Sequence, residues 1–323
     1  MPDPALQPVV RAELGGWGRT SVAHCSVLRP EEPDSVPAAL AAAGARGLIA
    51  RGCGRSYGDT STNDRGHVID MTGLTAIESF DKETGLIVCQ AGVTMAALVD
   101  RYLDEGFVPP VCPGTGYVTI GGAVANDVHG KNHDIDGSFG DHVEWIELVL
   151  PTGECLRVTE REHPELFSAT IGGIGLTGLI TRVCFRMSDI GTNAVGVTER
   201  RIRDLDEFFS SLEASTTTNK YSVGWVDAIA RGRHLGRGLL MTGNPAAEFM
   251  RVRPRRAITV PFDLPPGSLN RASMGLFNAL YLRRVRSERT LDVDFRRFVF
   301  PLDALLEWNR LYGRAGAVQF QCL

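Results

Sequence analysis

The stretch Ala50-Arg51-Gly52-Cys53-Gly54-Arg55-Ser56-Tyr57-Gly58-Asp59 follows directly on a short apolar run over residues 47–50. The run reads as a strand, and the stretch reads as a loop, because glycines at 52, 54 and 58 interrupt any regular element. Glycine tolerates positive φ and leaves backbone N–H groups approachable, which suits a phosphate group. It suits a tight surface turn as well, and glycine content alone favours the turn. The polar residues Arg55, Ser56, Tyr57 and Asp59, crowded around the glycines, favour a ligand cradle instead.

Working outward, the alanine-rich residues 36–45 predict a helix leading into the strand. Short strands are expected at 67–71, 76–80 and 86–90, with a turn at 82–85. Thr94 is placed to cap a helix whose apolar residues Met95, Leu98, Val99, Tyr102 and Leu103 recur at helical spacing, with Pro109 and Pro110 beyond its end. Residues 113–126 predict a loop entering a short helix of small residues, which lets the backbone approach a partner closely. A hairpin over 143–150 and 155–159, a helix at 164–170 and a strand at 179–187 complete this region.

Beyond Ile190 the texture turns polar and arginine-rich, which sets expected domains at 11–190 and 191–323. In the second, helices are expected at 202–212 and 301–312 and strands at 221–226 and 317–323. The charge agrees with a division: residues 1–190 hold 14 Lys and Arg against 25 Asp and Glu, and residues 191–323 hold 20 against 13. An acidic first region and a basic second one suggest that the second meets an anion, whether phosphate, nucleic acid or membrane.

At 323 residues and 43% hydrophobic content, the chain can bury a substantial core. Its seven cysteines are odd in number and lack a Cys-x-x-Cys pair, which signals neither a disulfide framework nor a zinc site. The first ten residues lack the basic and apolar segments of a signal peptide, and no apolar run reaches membrane-spanning length, so a cytoplasmic location is expected.

Two motifs need separate treatment. Gly173, Gly175 and Gly178 spell G-x-G-x-x-G, but a helix is expected before them and a strand after them, the reverse of a nicotinamide-binding fingerprint. His129 and His133 lie four apart as a metal pair would, but Gly130 between them and the missing glutamate argue for an ordered loop and no metal. A histidine with Lys131 between two glycine-rich segments suits an anionic substrate or a reduced cofactor, or else plain solvent exposure.

Together, residues 50–59, Pro113-Gly114-Thr115, Val118-Thr119-Ile120-Gly121-Gly122-Ala123-Val124-Ala125-Asn126-Asp127-Val128-His129-Gly130-Lys131-Asn132-His133, Gly137-Ser138-Phe139-Gly140-Asp141-His142 and residues 171–180 resemble the decaprenylphosphoryl-β-D-ribose oxidases. Trp225-Val226-Asp227-Ala228 and residues 307–313 extend the likeness. The resemblance implies an α+β fold, with a two-subdomain FAD-binding domain of the PCMH type followed by a substrate domain on an antiparallel sheet. It implies an oxidoreductase that takes a hydride from the 2′-hydroxyl carbon of a polyprenyl-phosphoryl ribose. A keto-reductase of the short-chain dehydrogenase type would then complete an epimerisation to arabinose for cell-wall glycan.

Carried over by position, FAD contacts are expected from Ala50, Arg51, Gly52, Cys53, Gly54, Arg55, Ser56, Tyr57, Gly58, Asp59, Thr60, Gly114, Thr119, Ile120, Gly121, Gly122, Asn126, Asp127, Val128, His129 and Ile180. Tyr57, His129 and Lys131 are the expected catalytic residues, and Trp225, Gln319 and Gln321 the expected sugar-pocket residues. Where relatives in the wider superfamily carry a histidine bonded to the flavin, this chain has Arg55, which implies a non-covalent cofactor. The chain departs from the mycobacterial members at Val299-Phe300, where they have Tyr-His, and it is expected to be truncated at its C-terminus relative to the family.

Arginines cluster at 231–237, 251–256 and 283–289, and a broken apolar stripe runs over 269–282. A stripe ending in Arg283-Arg284-Val285-Arg286 suits either an anionic bilayer or core packing with a solvated basic end; a lipid-phosphate substrate favours peripheral contact with the inner membrane. No nucleic-acid motif accompanies the basic runs. Competing readings are an oxidase of free sugars, alditols or aldonolactones on the same scaffold, and a flavin-binding fragment without turnover.

Overall fold

The computed structural model describes residues 9–251 and 257–319. The first layer is a four-stranded sheet of β1 (Val10–Leu14), β2 (Ala23–Leu28), β3 (Leu48–Arg51) and β4 (His67–Asp70), with helix α1 (Val36–Ala41) between the second and third. The order is β1-β2-β4-β3, with β1 antiparallel to β2 and the other pairs parallel. Parallel pairing of β3 with β4 ends the ladder at Arg51↔Asp70 and releases the glycine loop from a sheet end. Helix α1 ends short of the expected residue 45, because Gly44 and Gly47, the latter at φ +67°, turn the chain into β3.

The second layer is an antiparallel sheet, assembled as β5-β6-β10-β8-β9. Its strands are β5 (Ile77–Phe80), β6 (Leu86–Gln90), β8 (Val143–Val149), β9 (Cys155–Val158) and β10 (Leu179–Arg186). Helices α2 (Met95–Tyr102) and α3 (Ile120–Ala125) cover it, joined by strand β7 (Phe107–Val108), which pairs with β11 (Ser188–Asp189); α4 (His133–Asp136) and α5 (Pro164–Thr170) lie between the later strands. The principal core sits here, with Ile87, Met95, Leu98, Ile120, Phe139, Ile146, Val183 and Phe185 wholly buried. Burial of large apolar side chains at about 1.5–3 kcal/mol each is what fixes α2 and α3 on the sheet. Thr94 Oγ1 accepts from Ala97 N at 3.2 Å and Thr119 Oγ1 from Gly122 N at 3.2 Å, so each helix has the hydroxyl cap its sequence offers.

A third sheet, β13-β14-β12-β16, is antiparallel throughout. It comprises β12 (Ala194–Ile202), β13 (Tyr221–Val226), β14 (Gly238–Pro245) and β16 (Arg289–Asp294), with α6 (Leu205–Thr216) and α7 (Arg271–Arg283) beside it. The remaining elements are β15 (Ile258–Thr259), paired parallel with β17 (Leu305–Leu306), and α8 (Phe295–Val299).

Several expectations for the second half are corrected. Ile202 closes β12, and α6 starts later behind Asp204, whose carboxylate accepts from Glu207 N at 3.0 Å. Residues 301–312 are not one α-helix but 3-10 turns (Pro301–Ala304, Trp308–Ala315) around the short β17. Glu307 sits at φ 54° and Gly313 at φ 60°, left-handed conformations that no continuous helix contains. Residues 317–319 form no strand, and 320–323, with Gln321, lie outside the described residues.

Candidate active site

Two adjoining cavities open above the glycine loop. The first, of about 440 Å³, is lined by Ala50, Gly52–Gly58, Thr60, Ser61, Thr119, Gly121, Gly122, Asn126, Val128, Gly175, Gly178 and Ile180, among others. The second, of about 510 Å³, is lined by Trp17, Pro113–Thr115, His129, Leu302, Asp303, Leu305, Leu306, Glu307 and Trp308. Arg55, Tyr57, Tyr117, Val118, Asn126, Val128 and Gln319 line both, so the two spaces share one wall.

The loop is held from behind. Trp17 N donates to Ser56 O at 2.7 Å and Gly18 N to Tyr57 O at 3.1 Å. Among the described residues the N–H groups of Cys53 to Gly58 meet no protein acceptor and are available to a ligand. A Cβ at Gly52 would lie 2.3 Å from Thr119 Oγ1, and one at Gly54, which sits at φ +63°, would lie 2.2 Å from the Arg51 guanidinium. Gly121 packs so closely that a Cβ there would lie 2.9 Å from Ala91 Cβ. Such a cradle of bare backbone fits a dinucleotide pyrophosphate.

Not every expected contact reaches the cavities. Arg51 turns away, its Nη2 donating to Gly15 O at 2.9 Å and its Nη1 to Ser61 Oγ at 3.1 Å, and burial lowers its pKa. Asp59 is exposed to solvent, and Ile120 is fully buried in the core. Asp127, at φ 41°, accepts from Gly140 N at 2.9 Å and braces the loop without lining either cavity. Lys131 is also outside them: Nζ donates to Val299 O at 3.1 Å and lies 5.2 Å from the Phe298 ring centre. Trp225 packs on Tyr281, with ring centres 4.8 Å apart, in a separate cluster with Leu239, Leu282 and Val285. Of the two expected sugar-pocket residues that are described, Gln319 lines the cavities and Trp225 does not; Gln321 lies outside the described residues.

The electrostatics differ between the side chains that remain. Burial, reinforced by His133 and opposed by Asp127, holds His129 below its ordinary value of 6.5. Burial raises the Tyr57 phenol and the Cys53 thiol, keeping both protonated at neutral pH. Lys131, desolvated, is pushed down to about 8. The Arg55 guanidinium lies 4.0 Å over the Trp17 ring and 5.1 Å from that of Tyr117. Trp17, Tyr117, Asp303 and Trp308 were not among the site residues expected from the sequence, although Trp308 lies in the stretch 307–313 that carries part of the resemblance.

The G-x-G-x-x-G segment lies between α5 and β10, and Gly175 and Gly178 line the first cavity. Among the described residues no helix is long and apolar enough to cross a membrane.

Comparison with known proteins agrees with this geometry. Residues 26–159 match the model of an FAD binding domain. The chain is 37% identical over 97% of its length to the decaprenylphosphoryl-beta-D-ribose oxidase of Mycolicibacterium smegmatis, of which it covers 72%. It is 32% identical over 71% of its length to an uncharacterised protein of Streptomyces coelicolor, of which it covers 66%. A putative D-arabinono-1,4-lactone oxidase of Neurospora crassa is 28% identical over 44% of the chain, which covers 25% of that protein. The chain therefore belongs to the decaprenylphosphoryl-beta-D-ribose oxidase family of FAD-dependent oxidoreductases.

Proposed function

We propose that this enzyme oxidises the 2′-hydroxyl carbon of a polyprenyl-phosphoryl ribose to a keto sugar, and that a keto-reductase of the short-chain dehydrogenase type consumes the product. The observation that carries the reading is the wall shared by the two cavities, which sets a substrate space holding His129 directly against the dinucleotide cradle. Identity to the mycobacterial oxidase over nearly the whole chain supports the substrate class.

In this reading the loop Gly52–Gly58 with Thr119, Gly121, Gly122, Asn126 and Ile180 holds FAD, which supplies a two-electron acceptor when bound. Arg55 stands where a covalently linking histidine would, so the cofactor is held without a bond. His129, kept neutral near pH 7 by burial, takes the proton of the substrate hydroxyl as its carbon is oxidised. Tyr57 keeps its phenolic proton and donates a hydrogen bond to the sugar. Lys131, bonded to Val299 O beneath the loop, positions His129 from two residues away and does not touch the substrate. Gln319 contributes to the sugar pocket.

A lipid-linked substrate requires a route from a bilayer. Leu276, Phe277 and Leu280 of α7 are 64%, 52% and 58% exposed, and the helix runs into Arg283, Arg284 and Arg286. An apolar stripe with a cationic end supports peripheral contact with the anionic inner membrane.

The test is anaerobic mixing of the FAD-loaded enzyme with farnesylphosphoryl ribose, free ribose, an alditol and an aldonolactone, followed by flavin absorbance. Bleaching by the phosphoryl ribose alone is expected. Bleaching by the free sugar, alditol or lactone instead would assign it the second substrate class, and bleaching by none would make it a flavin binder without turnover.

A further inference from the structure

Arg55 is half-buried, yet among the described residues it makes no hydrogen bond or ion pair; it is held only by the faces of aromatic rings. Cation–π contact with Trp17 and Tyr117 places the guanidinium, and among the described residues its N–H donors meet no acceptor. A half-buried guanidinium whose N–H donors meet no described acceptor offers a planar fork that matches two oxygens of a phosphate.

The direction of the fork's ligand follows from the stacking partners. Trp17 lines the second cavity and not the first, and Tyr117 lines the wall between them. The first cavity already offers bare backbone N–H groups to a pyrophosphate, whereas in the second His129 and Arg55 are the only cation-forming side chains among its described lining residues. The carboxylates there have other hydrogen-bond or ion-pair partners, and Asp303 reaches Arg55 only through the Coulombic field between them. Asp303 accepts from Thr115 Oγ1 and Gly116 N, and Glu307 lies 3.7 Å from Arg310. The same cavity has an apolar side of Leu302, Leu305, Leu306 and Trp308, suited to hydrocarbon.

We propose that Arg55 is a specificity-determining residue that binds the phosphodiester of the substrate, between a sugar near His129 and a hydrocarbon chain against Leu302, Leu305 and Leu306. This rests on the substrate reading above and adds the residue that distinguishes a phosphate-linked sugar from a free one. The guanidinium contributes binding and carries no proton or electron.

The test uses the full FAD-loaded chain and two probes, farnesylphosphoryl ribose and the uncharged farnesyl riboside, with binding read from perturbation of the flavin spectrum and turnover measured separately. Arg55→Gln is expected to weaken binding of the phosphoryl probe by about tenfold or more, to change binding of the riboside less than twofold, and to keep its full flavin content. Arg55→Lys should recover part of the loss, since it restores charge without the fork. Equal losses for both probes, or no loss for either, would overturn the proposal. Loss of flavin in the Gln variant, with probe binding unchanged once FAD is saturating, would assign the guanidinium to the cofactor's pyrophosphate and also overturn it. Binding of the phosphoryl probe without turnover would count against the proposed reaction and leave the binding assignment of Arg55 standing on its own data.

Discussion

Asp303 accepts the Thr115 hydroxyl at 2.5 Å across 188 positions of sequence, and the same carboxylate accepts Gly116 N at 2.8 Å. A side chain of the second half thereby ties down the loop that leads into Tyr117 and the wall common to both cavities. Burial raises its pKa while these two donors oppose the rise. Asp303→Ala would strand both donors at a cost of about 1–3 kcal/mol. The expected outcome is a several-fold higher KM with flavin affinity retained, measured by steady-state kinetics and flavin titration; an unchanged KM would remove Asp303 from this role.

His129 supplies the pH dependence. With its folded value depressed below 6.5, the imidazole is neutral and able to accept a proton at pH 7. The acid limb of kcat/KM is expected below pH 6.5, with activity falling as pH drops through it. His129→Gln should lower kcat by about two to four orders of magnitude and abolish that limb. A limb that persists unchanged in the variant would assign the base elsewhere.

Lys131 is the counterpart in stability. Its folded pKa of about 8 lies below the ordinary 10.5, so between these values the unfolded chain holds a proton that the folded chain has released. Folding stability due to this group therefore rises with pH across that window, and below about 8 its full desolvation cost of about 3 kcal/mol is present. Lys131→Met should gain relative stability near neutrality, and the difference from wild type should shrink from pH 8 to 10. Urea unfolding at pH 7, 8.5 and 10 checks this; a difference independent of pH would contradict it.

Gly52 is a tight point of the cradle, since an added Cβ would fall 2.3 Å from Thr119 Oγ1. Gly52→Ala must displace the hydroxyl that caps α3, at about 1 kcal/mol, and with it the small-residue helix beside the cofactor space. FAD binding measured by flavin fluorescence should weaken by about tenfold. Gly153→Ala, at a hairpin turn with φ +86° and open space around it, should lose some stability and no FAD affinity.

The first half of the fold was legible because its signals are local. Strand Leu86–Gln90 and helix Pro164–Thr170 fall where alternation, proline and glycine put them, and the capping hydroxyl of Thr94 marks its helix to the residue. Beyond residue 190, Tyr221–Val226 was equally plain, but β12, β14 and β16 were missed. β12 carries Thr198, Glu199, Arg200 and Arg201, and Glu199 is buried only because Arg284 and Arg289 neutralise it at 3.1 and 2.6 Å; no pattern in the strand itself reveals that. The site divides in the same way. Glycine motifs exposed the cradle, whereas Trp17, Tyr117, Asp303 and Trp308 gather by tertiary packing. Arg51 and Trp225 lie inside motifs, yet their side chains are spent on Gly15 and Tyr281.

The central claim is that the loop from Gly52 to Gly58 holds FAD and that Arg55 leaves it unlinked. The most direct measurement is the visible spectrum of the purified chain before and after acid precipitation. A flavin spectrum that passes wholly into the supernatant is predicted. A colourless protein that FAD does not reconstitute, or colour that pellets with the polypeptide, would contradict the account.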